Sequence, residues 1–136
     1  MIAGCRKIVG GKGEGTALVS SQPINFLAMV EAKTGRITDP KHELFEKSLK
    51  DVILVFPNAI GSSVGAYVFY SLKEAGTAPA AIVCAKADIT TASGCAIASI
   101  PVLDLPTNMA RKPLAESVRQ GSRIKVDADA GTIATV

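Results

Sequence analysis

The feature that most constrains this chain is a run with no polar break, Val52-Ile53-Leu54-Val55-Phe56, closed by Pro57. Successive side chains of a strand point to opposite faces, so a strand wetted on one side alternates apolar and polar residues. This one does not alternate. Both of its faces must be covered, which makes it an interior strand of a layered domain. Beyond the loop Asn58-Ala59-Ile60-Gly61-Ser62-Ser63, the residues Val64, Val68 and Leu72 recur every four positions and define a helical stripe. Ser62 or Ser63 is the natural N-cap and Gly76 the residue past the last turn, with Pro79 enforcing the stop. A second apolar run follows at residues 80–85. A small-residue segment then opens at Asp88 and reads as a short helix to Ala98, and a third apolar run lies at 100–103. The order β–α–β–α–β over residues 51–105 predicts an α/β core with parallel strands.

The flanks read as β-structure. Residues 5–9 and 16–20 surround the glycine-rich stretch Gly10-Gly11-Lys12-Gly13-Glu14-Gly15, a pattern that predicts a hairpin or a bulged strand pair. A glycine-rich segment with a lysine is also what cradles phosphate. The Walker order fails here because Gly13 follows Lys12, so a structural turn or bulge is the better reading. Residues 22–37 read as extended, with turns at Thr34-Gly35-Arg36 and Asp39-Pro40. A short helix opens at Pro113 and is closed by Gly121. Arg123-Ile124-Lys125-Val126-Asp127 alternates cleanly, with Ile124 and Val126 facing inward, and a last strand spans 132–136.

Composition sets the limits on function. The chain has 136 residues, one domain's worth, with 48% hydrophobic and 20% charged residues, which excludes disorder as the main reading. A net charge of +3 gives no argument for nucleic acid or a membrane surface. No apolar run is long enough to span a bilayer and the first residues carry no secretory signal, so a cytoplasmic location is expected. Cys5, Cys84 and Cys95 are far apart and odd in number, which argues against a disulfide framework and against a self-contained zinc or iron–sulfur site. The single histidine, His42, lies in a polar stretch and reads as a surface-loop or capping residue.

The segment Gly61-Ser62-Ser63-Val64 has the most chemical promise. It lies at the carboxyl end of a buried strand, where open α/β sheets bind ligands. It also lies at a helix start, where free N–H groups favour negative charge. Pattern alone makes Ser62 first of all an N-cap. The other reading is a base, since those N–H groups would stabilise a serine oxygen as it becomes alkoxide-like. His42 lies in a polar loop with nothing tying it to the serine, so a hydrolase triad is a poor reading. The hydroxyl-rich residues 87–95 fit either a ligand or partner contact or a capped, closely packed helix start. Cys95, among small apolar residues, reads as buried and inert.

Three stretches, kept in this order and covering nearly the whole chain, carry a resemblance. The first is Gly4-Cys5-Arg6 through Gly13-Glu14-Gly15-Thr16-Ala17-Leu18-Val19-Ser20 and then Pro23-Ile24-Asn25-Phe26-Leu27. The second is Thr34-Gly35-Arg36-Ile37 with Asp39-Pro40 and His42. The third is Val55-Phe56-Pro57 with Gly61-Ser62-Ser63-Val64-Gly65-Ala66-Tyr67 and Ala78-Pro79-Ala80-Ala81-Ile82. Together they resemble the small subunit of the aconitase X family, a stand-alone swivel domain.

The resemblance implies a mixed α/β fold: one swivelling β/β/α domain over residues 1–136, with curved β-structure and packed helices. It implies a heterodimer with a large aconitase-like subunit, and a 4Fe–4S cluster held by that partner and not by this chain. The implied reaction is the loss of water from a small hydroxy acid by a two-chain hydro-lyase, inactive as the small chain alone. Ser62 takes the place of the proton acceptor, with Gly61 and Ser63 as its substrate-contacting neighbours and no metal ligand in this chain. Two departures limit the transfer. Val64 stands where ordinary aconitases follow the serine pair with arginine, and Asn58-Ala59-Ile60 replaces a Gly-Gly-Lys-like approach to the loop. Two substrates are known in the family. One is (R)-5-phosphomevalonate, dehydrated to trans-anhydromevalonate 5-phosphate in the archaeal mevalonate pathway. The other is cis-3-hydroxy-L-proline. This version of the loop favours the phosphorylated acid. A reading of another class is a non-catalytic assembly module for a larger chain.

Overall fold

A computed structural model describes residues 1–136. The chain opens with β1 (Arg6–Val9) and β2 (Lys12–Val19), followed by a short helix α1 (Phe26–Met29) and the two-residue strands β3 (Val30–Glu31) and β4 (Arg36–Ile37). The apolar run becomes β5 (Ile53–Phe56), in which all four residues are buried. A 3-10 turn at Ser63–Gly65 leads into α2 (Ala66–Ala75), and Gly76 ends that helix in the left-handed conformation with φ 74°. β6 (Ala81–Cys84), α3 (Ile89–Ala98) and β7 (Val102–Asp104) complete the repeat of strand and helix. The short helices α4 (Thr107–Ala110) and α5 (Leu114–Ser117) lead to the terminal hairpin, β8 (Arg123–Asp127) and β9 (Thr132–Thr135).

Seven strands form one sheet in the order β1-β7-β6-β5-β2-β8-β9. Strands β7, β6 and β5 are parallel, and the last residues of β2 join them, pairing Ala17 with Ile53 and Val19 with Val55. The first residues of β2 instead pair antiparallel with β8, from Lys12 opposite Asp127 to Thr16 opposite Arg123. Beyond β9, Ile133 exchanges two backbone hydrogen bonds with Ile2, each 2.8 Å, so the curled sheet is latched edge to edge.

The curl explains the apolar runs. Ile53 and Val55 of β5 face the interior of the curl with Ala81, Val83, Leu103, Ile124 and Val126. Leu54 and Phe56 face the other way, against Phe26, Phe69, Leu72 and Ala98 on the helices. One strand thus serves two cores, and each fully buried large side chain contributes roughly 1.5–3 kcal/mol. Three of the four phenylalanines join the helical face to β5: Phe26 lies 4.2 Å from Phe69 and 5.8 Å edge-on from Phe56, centroid to centroid.

Five expectations are corrected. β1 and β2 do not form a hairpin; β1 pairs with β7, with a register shift between Lys7 and Val9. Lys12 to Gly15 is strand and not turn, because its glycines admit neighbouring backbone: a Cβ on Gly15 would lie 2.5 Å from the Asp51 carbonyl, and one on Gly13 would meet that of Ala80. Residues 26–29 are helical, capped by the Asn25 side chain. Val64 stands exposed before α2, which buries Phe69 and Leu72, and α5 stops at Ser117 with Gly121 in the next turn.

Candidate active site

Strands β2, β5, β6 and β7 end on the same rim of the sheet, and the loops that leave it are residues 20–22, 57–62, 85–88 and 105–107. This is where parallel sheets bind ligands. The 57–62 loop is fixed from two sides. Ile24 donates its N–H to the Asn58 carbonyl at 3.3 Å and accepts from the Ile60 N–H at 3.0 Å. Asp88, at the start of α3, accepts the Ala59 N–H at 2.8 Å. Gly61 then turns the chain at φ 93°, and a Cβ there would lie 2.5 Å from the Asn25 amide nitrogen. Only glycine gives both that φ and that approach.

Ser62 follows, exposed and in extended conformation, and its Oγ accepts the Val64 N–H at 3.2 Å. It has no other side-chain hydrogen bond. Oγ therefore sits at the positive end of the 3-10 turn and α2, with one N–H already aimed at it and its remaining valence facing solvent. Negative charge on that oxygen is favoured by the N–H and by the helix end. Ser63 is also exposed and borders an apolar groove of about 510 Å³ between α2 and α3, with Tyr67, Tyr70 and Ile97. The two helices approach closely at Gly94, where a Cβ would lie 2.6 Å from the Ala66 carbonyl. Leu27, Ile60, Val64 and Tyr67 leave 46–69% of their surface exposed around the serine loop.

The other candidate residues have structural partners. His42 is buried, not a surface residue: Nδ1 accepts the Leu44 N–H at 3.0 Å, so Nε2 carries the proton and donates to the Pro23 carbonyl at 3.1 Å. It braces the segment before Asn25. Asp88 caps α3 through the Thr91 N–H and hydroxyl, both at 2.9 Å, so residues 87–95 are a capped helix start that also holds the serine loop. Sequence reading missed two groups. Glu43 accepts from the Ser20 hydroxyl at 2.6 Å and the Ser21 N–H at 2.5 Å; burial raises its pKa, but these hydrogen bonds outweigh it and hold the carboxyl below its ordinary value. Arg6 clasps the buried Asp104 through Nε at 3.2 Å and a terminal nitrogen at 2.6 Å, and the same carboxylate accepts the Ala87 N–H at 3.1 Å. Both contacts join residues far apart in sequence, which no local pattern encodes.

The cysteines do not fit an iron–sulfur cluster. Cys84 and Cys95 are buried with thiols pushed up, by burial first and then by nearby Asp88, and no three metal-binding side chains gather anywhere in the chain. No helix is long and apolar enough to cross a membrane.

The curled sheet, with helices on one face and a glycine–serine loop at the carboxyl rim, defines a swivel domain. The family model described as "Aconitase X swivel domain" matches residues 2–135, and the chain belongs to that family. It is 45% identical over 128 residues to the phosphomevalonate dehydratase small subunit of Thermococcus sibiricus, covering 94% of this chain and 93% of the relative. It is 41% identical to the protein of that name from Methanothermobacter thermautotrophicus, covering 95% of each. Among solved structures, aconitase X of Thermococcus kodakaraensis in its holo form superposes with a TM-score of 0.87 at 39% identity, covering 97% of this chain and 95% of that one. The solution structure of a UPF0107 protein gives 0.84 at 37% identity, covering 97% and 96%.

Proposed function

We propose that this chain is the small, swivelling subunit of a two-chain dehydratase that converts (R)-5-phosphomevalonate to trans-anhydromevalonate 5-phosphate. Ser62 is its proton acceptor, and Gly61 and Ser63 shape the loop against the substrate. The observation that carries the reading is the state of Ser62 Oγ: exposed on the ligand-binding rim, at a helix start, with the Val64 N–H as its one partner. The relatives' names supply the reaction.

In this reading Oγ, its own proton given up to solvent, takes one from the carbon beside that bearing the hydroxyl. The C–H electron pair becomes the double bond as the hydroxyl leaves with the C–O pair, so that proton and hydroxide together make the water lost. The Val64 N–H and the positive end of α2 lower the cost of the charged oxygen beforehand. Gly61 lets the loop pass Asn25 so that the serine faces outward. Val64 offers no charge for the substrate, so anion recognition falls to other residues here or on the partner. In this reading a 4Fe–4S cluster is held by the large subunit; the cysteines of this chain, two of them buried, form no ligand set for one. The exposed apolar residues beside Ser62 are what a face closing on a larger chain carries.

The test is reconstitution with the large aconitase-like subunit. The pair should dehydrate 5-phosphomevalonate, and the small chain alone should not. Ser62→Ala should assemble normally and lose about 10²- to 10⁴-fold in rate. Full activity in that variant overturns the base assignment, and turnover of cis-3-hydroxy-L-proline alone overturns the substrate.

A further inference from the structure

We infer that Lys86 binds the phosphate of the substrate, an assignment that rests on the reaction proposed above. The four rim loops, residues 20–22, 57–62, 85–88 and 105–107, contain two charged side chains, Lys86 and Asp88. Asp88 already accepts three hydrogen bonds, from the Ala59 N–H, the Thr91 N–H and the Thr91 hydroxyl, and its charge is negative. The charged groups that pack against the rim from elsewhere are occupied too: Glu43 by Ser20 and Ser21, and Arg6 by Asp104. Lys86 is exposed and its ammonium forms no ion pair or hydrogen bond within the chain. Within these four loops it is the one charged side chain without a partner.

Its position suits the far end of the substrate. Lys86 leaves β6, the immediate neighbour of β5 from which the serine loop leaves, with Phe56 in register with Cys84. Neighbouring strands lie about 4.8 Å apart. The Lys86 N–H donates to the Pro57 carbonyl at 3.3 Å, so the two loops are stitched together at their bases. Lys86 also borders an open groove of about 540 Å³ whose walls include Arg6, Ala85, Asp104 and Pro106. The proton that Ser62 takes lies beside the substrate carboxylate, which places that end at the serine. The phosphate is at the opposite end of a five-carbon chain and reaches one strand further along the rim, into this groove. A lysine there acts as a flexible point charge for phosphate, a role that Arg6, locked to Asp104, leaves open.

The experiment uses the reconstituted two-subunit enzyme with 5-phosphomevalonate as substrate and orthophosphate as inhibitor. Lys86→Ala and Lys86→Gln should raise KM about ten- to hundredfold with a much smaller change in kcat. Lys86→Arg should recover most of the loss, and competitive inhibition by orthophosphate should weaken in the alanine variant. A KM within twofold of wild type overturns the assignment. So does a rise in KM that tracks weakened subunit assembly in gel filtration, which would make Lys86 a docking residue. A wild-type complex that does not turn over phosphomevalonate sinks the proposed reaction itself, a result distinct from a working enzyme indifferent to Lys86.

Discussion

The sheet carries two successive strand–loop–helix units built to the same plan, and they use their capping residues in opposite ways. In the unit from β6 to α3, Asp88 makes three hydrogen bonds and reaches back to hold the neighbouring loop. In the unit from β5 to α2, Ser62 caps with one bond at 3.2 Å, and its hydroxyl faces solvent. A cap with both oxygens engaged stabilises the fold. A cap with valence to spare, on the rim where ligands bind, is free to do chemistry. The comparison also shows that the first kind supports the second, since Asp88 fixes the Ala59 amide three residues before Ser62.

Mutation can break this contrast at several points. The largest effect is expected at Ser62, where alanine should remove most dehydratase activity in the reconstituted complex. Its unfolding free energy should fall by only about 0.5–1 kcal/mol in denaturant melts, the cost of the lost cap. Asp88→Ala should do the reverse first: about 1–3 kcal/mol of stability lost with the cap and the cross-loop bond, and a smaller drop in rate as the serine loop loosens. Gly61→Ala comes next, at about 1 kcal/mol for a side chain at positive φ, with faster amide exchange at residues 57–61 and 25–28 as Asn25 gives way.

The smallest effect concerns Glu43, at the foot of the same rim. Its pKa is lowered on folding, so it contributes stability above the unfolded-state value, and that contribution is lost as pH falls through the folded value. Acid melts of Glu43→Gln should show a shallower decline than wild type over that window, with no change near neutrality in the difference that pH makes.

The interior strands were legible because a run of apolar residues leaves little choice. The helix signals at Gly76 and Asp88 were legible because caps are local chemistry. Gly13 and Gly15 misled because they serve contacts with Ala80 and Asp51, residues far along the chain, and local pattern offers only a turn as their reason. His42 misled because its neighbours Lys41 and Glu43 are exposed while its own ring turns inward to Pro23 and Leu44. Val64 and Val68 kept helical spacing, yet the helix begins a turn later and Phe69 faces the core. The serine loop itself was found from strand, glycine and cap together. The ties from Ile24, Asn25 and Asp88 were not, because they join segments that meet only in the folded sheet.

One strand sets the order in which this protein can be completed. β2 joins β5 along its last residues and β8 along its first, and the Arg123–Glu14 contact across that second seam spans 109 positions. Closing so long a loop is an entropic cost met before any contact rewards it, and topologies rich in such pairings fold slowly. The helical face, made from residues 24–102, can form while the amino-terminal half of β2 is still an open edge. The inner core needs the final hairpin, so it is complete only once β8 and β9 have joined a template laid down at the start of the chain.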